Sequence, residues 1–140
     1  MRKFIIASHG GLAEGLRDTI EMIIGKQDNI KCFSFYSDSS TNENKEKEEA
    51  KDFIEEHSNK EIIVFTDLMG GSVNQFFISL LSIYDFKLFS GVNLPLILEV
   101  ILNANSTCSR SSIDLTINTA TENLVFVNQT IEKLKKMEDE

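Results

Sequence analysis

The sequence is short of positive charge. It sets 14 lysines and arginines against 22 aspartates and glutamates, a formal net charge of −8. Nucleic acids and anionic membranes are bound by a broad basic face, so this balance argues against both as partners, though not against a small basic patch. Cysteine is also scarce. Cys32 and Cys108 stand far apart and form no CxxC pair. A zinc cluster or a disulfide scaffold is therefore not expected, and both read as reduced thiols, buried or half-buried. Long apolar runs are missing too: nothing approaches the ~20 residues of a membrane span. The run behind Arg2 and Lys3 ends at Ala7, too short for a secretory leader. These absences together lead us to expect a cytoplasmic protein. No repeat and no linker breaks the chain. Its 140 residues, 41% hydrophobic and 26% charged, suit one domain over 1–140, with a charged tail at 130–140.

What is present alternates. "KFIIAS" (3–8) is a short apolar run that reads as a buried strand. Over residues 12–25 the period changes: Leu12, Leu16, Thr19, Ile20, Ile23 and Ile24 fall on one helical face, and Gly25 suits the C-cap. "IKCFSFYS" (30–37) alternates as a strand does. Residues 38–60 are polar and charged, with Ala50, Phe53 and Ile54 as the apolar contact, which predicts a surface helix capped by Ser39, Ser40 or Thr41. His57, near its end, reads as a solvated surface histidine. "EIIVFTD" (61–67) is apolar on both faces, the pattern of a central parallel strand. A helix over 73–84 and a strand over 86–92 follow. Pro95, the single proline, is tolerated in the first turn of a helix opened by Asn93. A short helix over 112–118 and a last strand, "NLVFVNQ" (123–129), complete the reading. The expected fold is α/β: a doubly wound, mostly parallel sheet of order 2-1-3-4, helices on both faces, and a last antiparallel strand near the C-terminus.

In such a sheet ligands bind beyond the carboxyl ends of the strands, where strand order reverses. For this order the place lies between strands 1 and 3. Strand 1 delivers Ser8-His9-Gly10-Gly11; strand 3 delivers Thr66-Asp67 and then Gly70-Gly71-Ser72. A carboxylate accepting from Nδ1–H fixes the imidazole tautomer and leaves Nε2 as nucleophile or base. The glycines after His9 allow close approach, and Gly70-Gly71-Ser72 opens a helix whose N–H groups attract anions. Thr66 and Ser72 add hydroxyl donors. An imidazole beside an anion cradle points to phosphoryl transfer. Each part alone has a plainer reading: a turn histidine, an N-capping aspartate, turn glycines.

Three blocks, "FIIASHGGLAEGL", "VFTDLMGGSVNQ" and "GVNLPLILEVI", in this order and spacing, resemble the IIA domains of the mannose/fructose-class sugar phosphotransferase system of bacteria. The resemblance spans essentially the whole chain. It implies a cytoplasmic phosphotransferase component in which Nε2 of His9 takes a phosphoryl group from the phosphocarrier HPr and passes it to a IIB component serving a membrane permease. Asp67 would orient His9, and Gly10, Gly70, Gly71 and Ser72 would line the phosphate site, with Thr66 as a further candidate. It also implies a homodimer that exchanges the last strand. Such a relay requires no bound metal or nucleotide, so no cofactor and no metal ligand is expected. In one departure the family's Gly-Gly-Ser is usually followed by proline, whereas Val73 stands here and restores a backbone N–H.

Two other classes compete with this reading. A receiver-like signalling domain phosphorylated on Asp67 needs acidic residues after strand 1 to hold Mg²⁺, and Ser8-His9-Gly10 stands there. A non-catalytic interaction domain of the same fold has no need for both His9 and Asp67. A histidine phosphatase needs arginine where Ser8 stands.

Overall fold

The computed structural model describes residues 2–36, 43–103 and 109–139. Four strands, β1 (Arg2–His9), β2 (Ile30–Phe35), β3 (Glu61–Thr66) and β4 (Lys87–Phe89), form one sheet. Its order is β2-β1-β3-β4 and every pairing is parallel. The helices are α1 (Leu12–Ile24), α2 (Glu43–Glu56), α3 (Ser72–Leu80), α4 (Leu94–Leu102), α5 (Arg110–Thr121) and α6 (Val127–Glu138). The expected strand order and alternation are both present. The caps expected at Ser39, Ser40 or Thr41, like Cys108, lie outside the described residues.

The two faces of the sheet explain the helix placement. Side chains alternate along a strand, so Phe4 and Ile6 face one way, Ile5 and Ala7 the other. Phe4, Ile6, Ile63, Phe65 and Phe89 pack with residues of α1, α4 and α5. Ile5, Ala7, Phe33, Phe35, Ile62 and Val64 pack with Ala50 and Ile54 of α2 and with Val73, Phe77 and Leu80 of α3. Each fully buried Phe or Ile contributes about 1.5–3 kcal/mol, which is why the middles of β1 (residues 4–7) and β3 (residues 62–65) are wholly apolar.

Arg2, a buried charge at the start of β1, ties helix to sheet. Its guanidinium is buried, donates to Glu61 Oε2 at 2.9 Å, and reaches the carbonyls of Asn103 at 2.8 Å and Val100 at 3.3 Å. It thus satisfies carbonyls that the end of α4 leaves open. Replacing Arg2 by alanine will lower stability by about 2–3 kcal/mol, because charge-assisted bonds to buried groups are lost. Urea unfolding measures this directly, and a change under 0.5 kcal/mol would show the tie to be idle.

One expectation is corrected. The last strand at 123–129 is not a strand in this structure: the described sheet ends at β4, residues 124–126 carry no regular structure, and α6 starts at Val127. A strand needs a neighbour to take its backbone bonds, whereas a helix satisfies its own. Val127, Ile131 and Leu134 sit at helical spacing, and the 3.6-residue period prevails over the short β-like run before it. The charged tail is therefore helical through Glu138. Smaller shifts occur elsewhere: α3 begins at Ser72 and stops at Leu80, and α5 exceeds the expected 112–118 at both ends.

Candidate functional site

β1 ends at His9 and β3 at Thr66, and Ala7 pairs with Thr66 in the parallel register. His9 and Asp67 therefore leave adjacent strands side by side, 58 residues apart in sequence. Gly10 turns the chain at once, with φ +56°, a left-handed backbone that a side chain would strain. Its N–H donates to the carbonyl of Phe35 at 2.7 Å, locking the ends of β1 and β2 together. Ser8 anchors the next helix: its Oγ accepts from the N–H of Ala13 at 2.7 Å, where Gly11 brings no side chain to cap α1.

Asp67 grips His9 twice with one oxygen. Oδ2 accepts from the backbone N–H of His9 and from ring Nδ1–H, each at 2.8 Å. A carboxylate only accepts, so the proton sits on Nδ1 and the lone pair on Nε2. The hydroxyl of Ser72 donates to that lone pair at 3.2 Å. The His9 side chain is 43% exposed and that of Asp67 12%, so the nucleophilic edge faces outward while its support is sunk. Burial works to raise the pKa of Asp67, but the bonds from the His9 backbone N–H and ring N–H, with the ring's electrostatic attraction, outweigh it and hold the carboxyl below the usual carboxylate range.

The turn beyond Asp67 is shaped for this ring. Gly70 is left-handed at φ +82°, and the Gly71 N–H closes on the carbonyl of Leu68 at 3.1 Å. A Cβ on Gly71 would stand 3.3 Å from the Leu68 carbonyl, a tight approach, and 3.4 Å from His9 Cε1, in van der Waals contact, so the turn lies directly against the imidazole. Ser72 is then the first residue of α3. First-turn N–H groups have no intrahelical acceptor and carry the positive end of the dipole, and the Ser72 hydroxyl places that end beside Nε2.

The chain matches the family model described as "PTS system fructose IIA component" over residues 3–117. It belongs to this family of phosphotransferase-system IIA components. It is 30% identical over 104 residues to the fructose-specific EIIA component of Bacillus subtilis (strain 168), covering 72% of this chain and 69% of that protein. Among solved structures it is similar to a putative phosphoenolpyruvate-dependent sugar phosphotransferase system permease from Klebsiella pneumoniae, with 35% identity, TM-score 0.83 and 93% of each chain covered. It is also similar to a IIA protein associated with a fucose utilization operon in Streptococcus pneumoniae, with 28% identity, TM-score 0.80 and coverage of 93% and 96%.

In this IIA component the structure gathers His9, Gly10, Asp67, Gly70, Gly71 and Ser72 at one end of the sheet. Thr66 sits apart. It is fully buried, and its Oγ1 lies 2.9 Å from Asn74 Oδ1, 3.0 Å from Ser90 Oγ and 3.3 Å from the Phe89 carbonyl. That hydroxyl is spent on the interior; its part is to pin the first turn of α3, through Asn74, to the end of β4. Two neighbours escaped the sequence reading. Ser8, noted only for what it is not, caps α1. Tyr36 stacks on the His9 ring, with centroids 5.5 Å apart and planes 26° from parallel. His57 stands far along the chain at the end of α2, its Nδ1 2.9 Å from the Phe53 carbonyl. Cys32 is half-buried, and burial pushes its thiol up to about 11, so it stays protonated and unreactive at neutral pH. No cluster of metal-ligating residues occurs among the described residues, and none of their helices is long and apolar enough to cross a membrane.

Proposed function

We propose that this IIA component is a phosphohistidine relay: Nε2 of His9 takes a phosphoryl group from HPr and passes it to a IIB component. The observation that carries the reading is the polarised imidazole, with Nδ1–H on Asp67 and the Nε2 lone pair turned outward beside Ser72. In the forward step the Nε2 lone pair attacks phosphorus and an N–P bond forms. The bond from phosphorus to the donor's leaving atom breaks, and its electron pair stays with the donor. The ring gains positive character, which shortens and strengthens its bond to Asp67. Ser72 loses its acceptor as Nε2 is used and can turn its O–H to a phosphoryl oxygen, joined by the first-turn N–H groups of Ser72 and Val73. Transfer to IIB reverses these roles. Such a relay acts on the cytoplasmic side of the permease.

The surroundings suit a protein donor. Leu12, Tyr36, Leu68 and Met69 are exposed large side chains next to the site residues in sequence or space, and a mostly apolar rim around a polar centre is the ordinary make-up of a protein contact. The aspartyl-phosphate reading fares worse, since Oδ2 of Asp67 is taken by two bonds from His9 and its Oδ1 is buried. Incubation with labelled phospho-HPr will label the chain on a nitrogen, with the label stable in mild alkali and lost in acid. A label with the opposite lability, or none, would sink the proposal.

The resemblance also implies a homodimer, and we infer that the C-terminal segment serves it. Residues 121–139 are all exposed, including Leu124, Phe126, Ile131 and Leu134. Sedimentation equilibrium will give twice the 15.8 kDa of one chain, and truncation after residue 122 will return it to one; a monomeric full chain would refute this.

A further inference from the structure

Tyr36 is the one described non-glycine residue with a left-handed backbone, at φ +61°. An aromatic residue reaches that region rarely and at a cost in strain. The strain coincides with a contact. The tyrosine ring, 46% exposed, lies on the face of the His9 imidazole, centroids 5.5 Å apart and planes at 26°. The neighbouring backbone is fixed: His9 pairs with Phe35, and the Phe35 carbonyl accepts from Gly10 at 2.7 Å. The strained residue is thus held one position beyond the lock that joins β2 to the phosphate-site turn.

We propose that Tyr36 is a positioning residue for the phosphoryl relay, its ring holding the His9 imidazole in plane when Nε2 is phosphorylated; this rests on the phosphohistidine reading above. In the resting site the ring has three restraints: Asp67 on Nδ1, Ser72 on Nε2 and Tyr36 on one face. Once Nε2 carries phosphorus it has no lone pair for Ser72. The Asp67 bond lies on one ring atom and leaves the plane free to tilt about it. Tyr36 supplies the restraint normal to the plane. An aromatic face also attracts the electron-poor imidazole of the phosphorylated state more strongly than the neutral one. A contact that strengthens in this way assists both acceptance and release, because a ring tilted off line points its phosphorus away from the next acceptor.

The test compares Tyr36→Phe, Tyr36→Gly and Tyr36→Asn in the full chain. Phenylalanine keeps the stack. Glycine and asparagine accept the left-handed backbone without it. Tyr36→Gly and Tyr36→Asn are expected to pass phosphate about tenfold more slowly to IIB, while melting within a few degrees of the parent, because relief of strain offsets the lost ring contact. Tyr36→Phe will restore the parent rate. By NMR, the His9 ring protons will move downfield in the glycine and asparagine variants and stay in place in Tyr36→Phe. This readout needs no phosphoryl donor, so it reports on the stack even if the relay reading itself fails. Transfer within twofold of the parent in both non-aromatic variants, a Tyr36→Phe variant as slow as they are, or unmoved His9 resonances would each overturn the proposal.

Discussion

A His9→Ala chain will accept no phosphoryl group from phospho-HPr, a loss of at least about 10³-fold, and will fold as the parent does. The two halves of this expectation have separate grounds. The chemical half rests on Nε2 being the basic nitrogen at the exposed edge of the site: Asp67 Oδ2 is taken by two bonds from His9, its Oδ1 is buried, and the Ser72 hydroxyl is a far weaker nucleophile than an imidazole. Loss of a nucleophile in a concerted site typically costs several orders of magnitude. The folding half rests on exposure. The imidazole is nearly half exposed, and the backbone N–H of His9, which survives the substitution, still occupies Asp67. The chain carries its own control, since it has two histidines. His57 is held against Phe53 at the end of α2, and His57→Ala will label like the parent. Phosphate retained in His9→Ala but lost in Asp67→Ala would move the acceptor to the carboxylate and reverse the assignment.

Much of this site could be read before the fold was known, for a physical reason. A parallel strand buried on both faces has little choice of register, so unbroken apolar runs such as "FIIA" and "EIIVF" mark the strands and their ends. Topology then puts His9 beside Asp67, and the glycines mark the turns. What stayed hidden depends on directions that a linear pattern does not carry. Thr66 is one residue from Asp67, yet alternation along the strand turns its hydroxyl into the interior, toward Asn74 and Ser90. Tyr36 looks like the unremarkable end of "IKCFSFY"; its role appears only when β2 is laid beside β1 and the backbone turns left-handed. Residues 123–129 mislead in the opposite way. Their composition favours a strand, but strand formation depends on a neighbour, and in this chain the helical spacing that begins at Val127 has no such requirement.

Asp67→Asn will slow phosphoryl acceptance by about 100-fold while changing the fold little, and comparison with Asp67→Ala divides the role of the carboxylate into charge and position. Asparagine keeps one oxygen, which can take the place of Oδ2 and accept from both His9 donors; it removes the negative charge that favours the cationic ring. Alanine removes the acceptor as well. The His9 ring then loses its tautomeric anchor, and the His9 backbone N–H loses its partner, so Asp67→Ala will be slower still and less stable. If Asn acts like the parent within threefold, position alone matters and the electrostatic part of the mechanism is wrong. Acidity supplies an independent check. The folded Asp67 carboxyl titrates below its ordinary value because His9 stabilises the charged form over the opposing effect of burial. A depressed folded value means that the unfolded chain binds the proton more readily. The stabilisation is therefore complete above about pH 4, the ordinary carboxylate range, and drains away as pH falls through the lower folded value. Unfolding free energies measured from pH 6 down to pH 2 will show this acid limb in the parent and a shallower one in Asp67→Asn. Superimposable limbs would mean that the bonds from His9 to Oδ2 contribute nothing in solution, and the polarised imidazole on which the relay depends would lose its foundation.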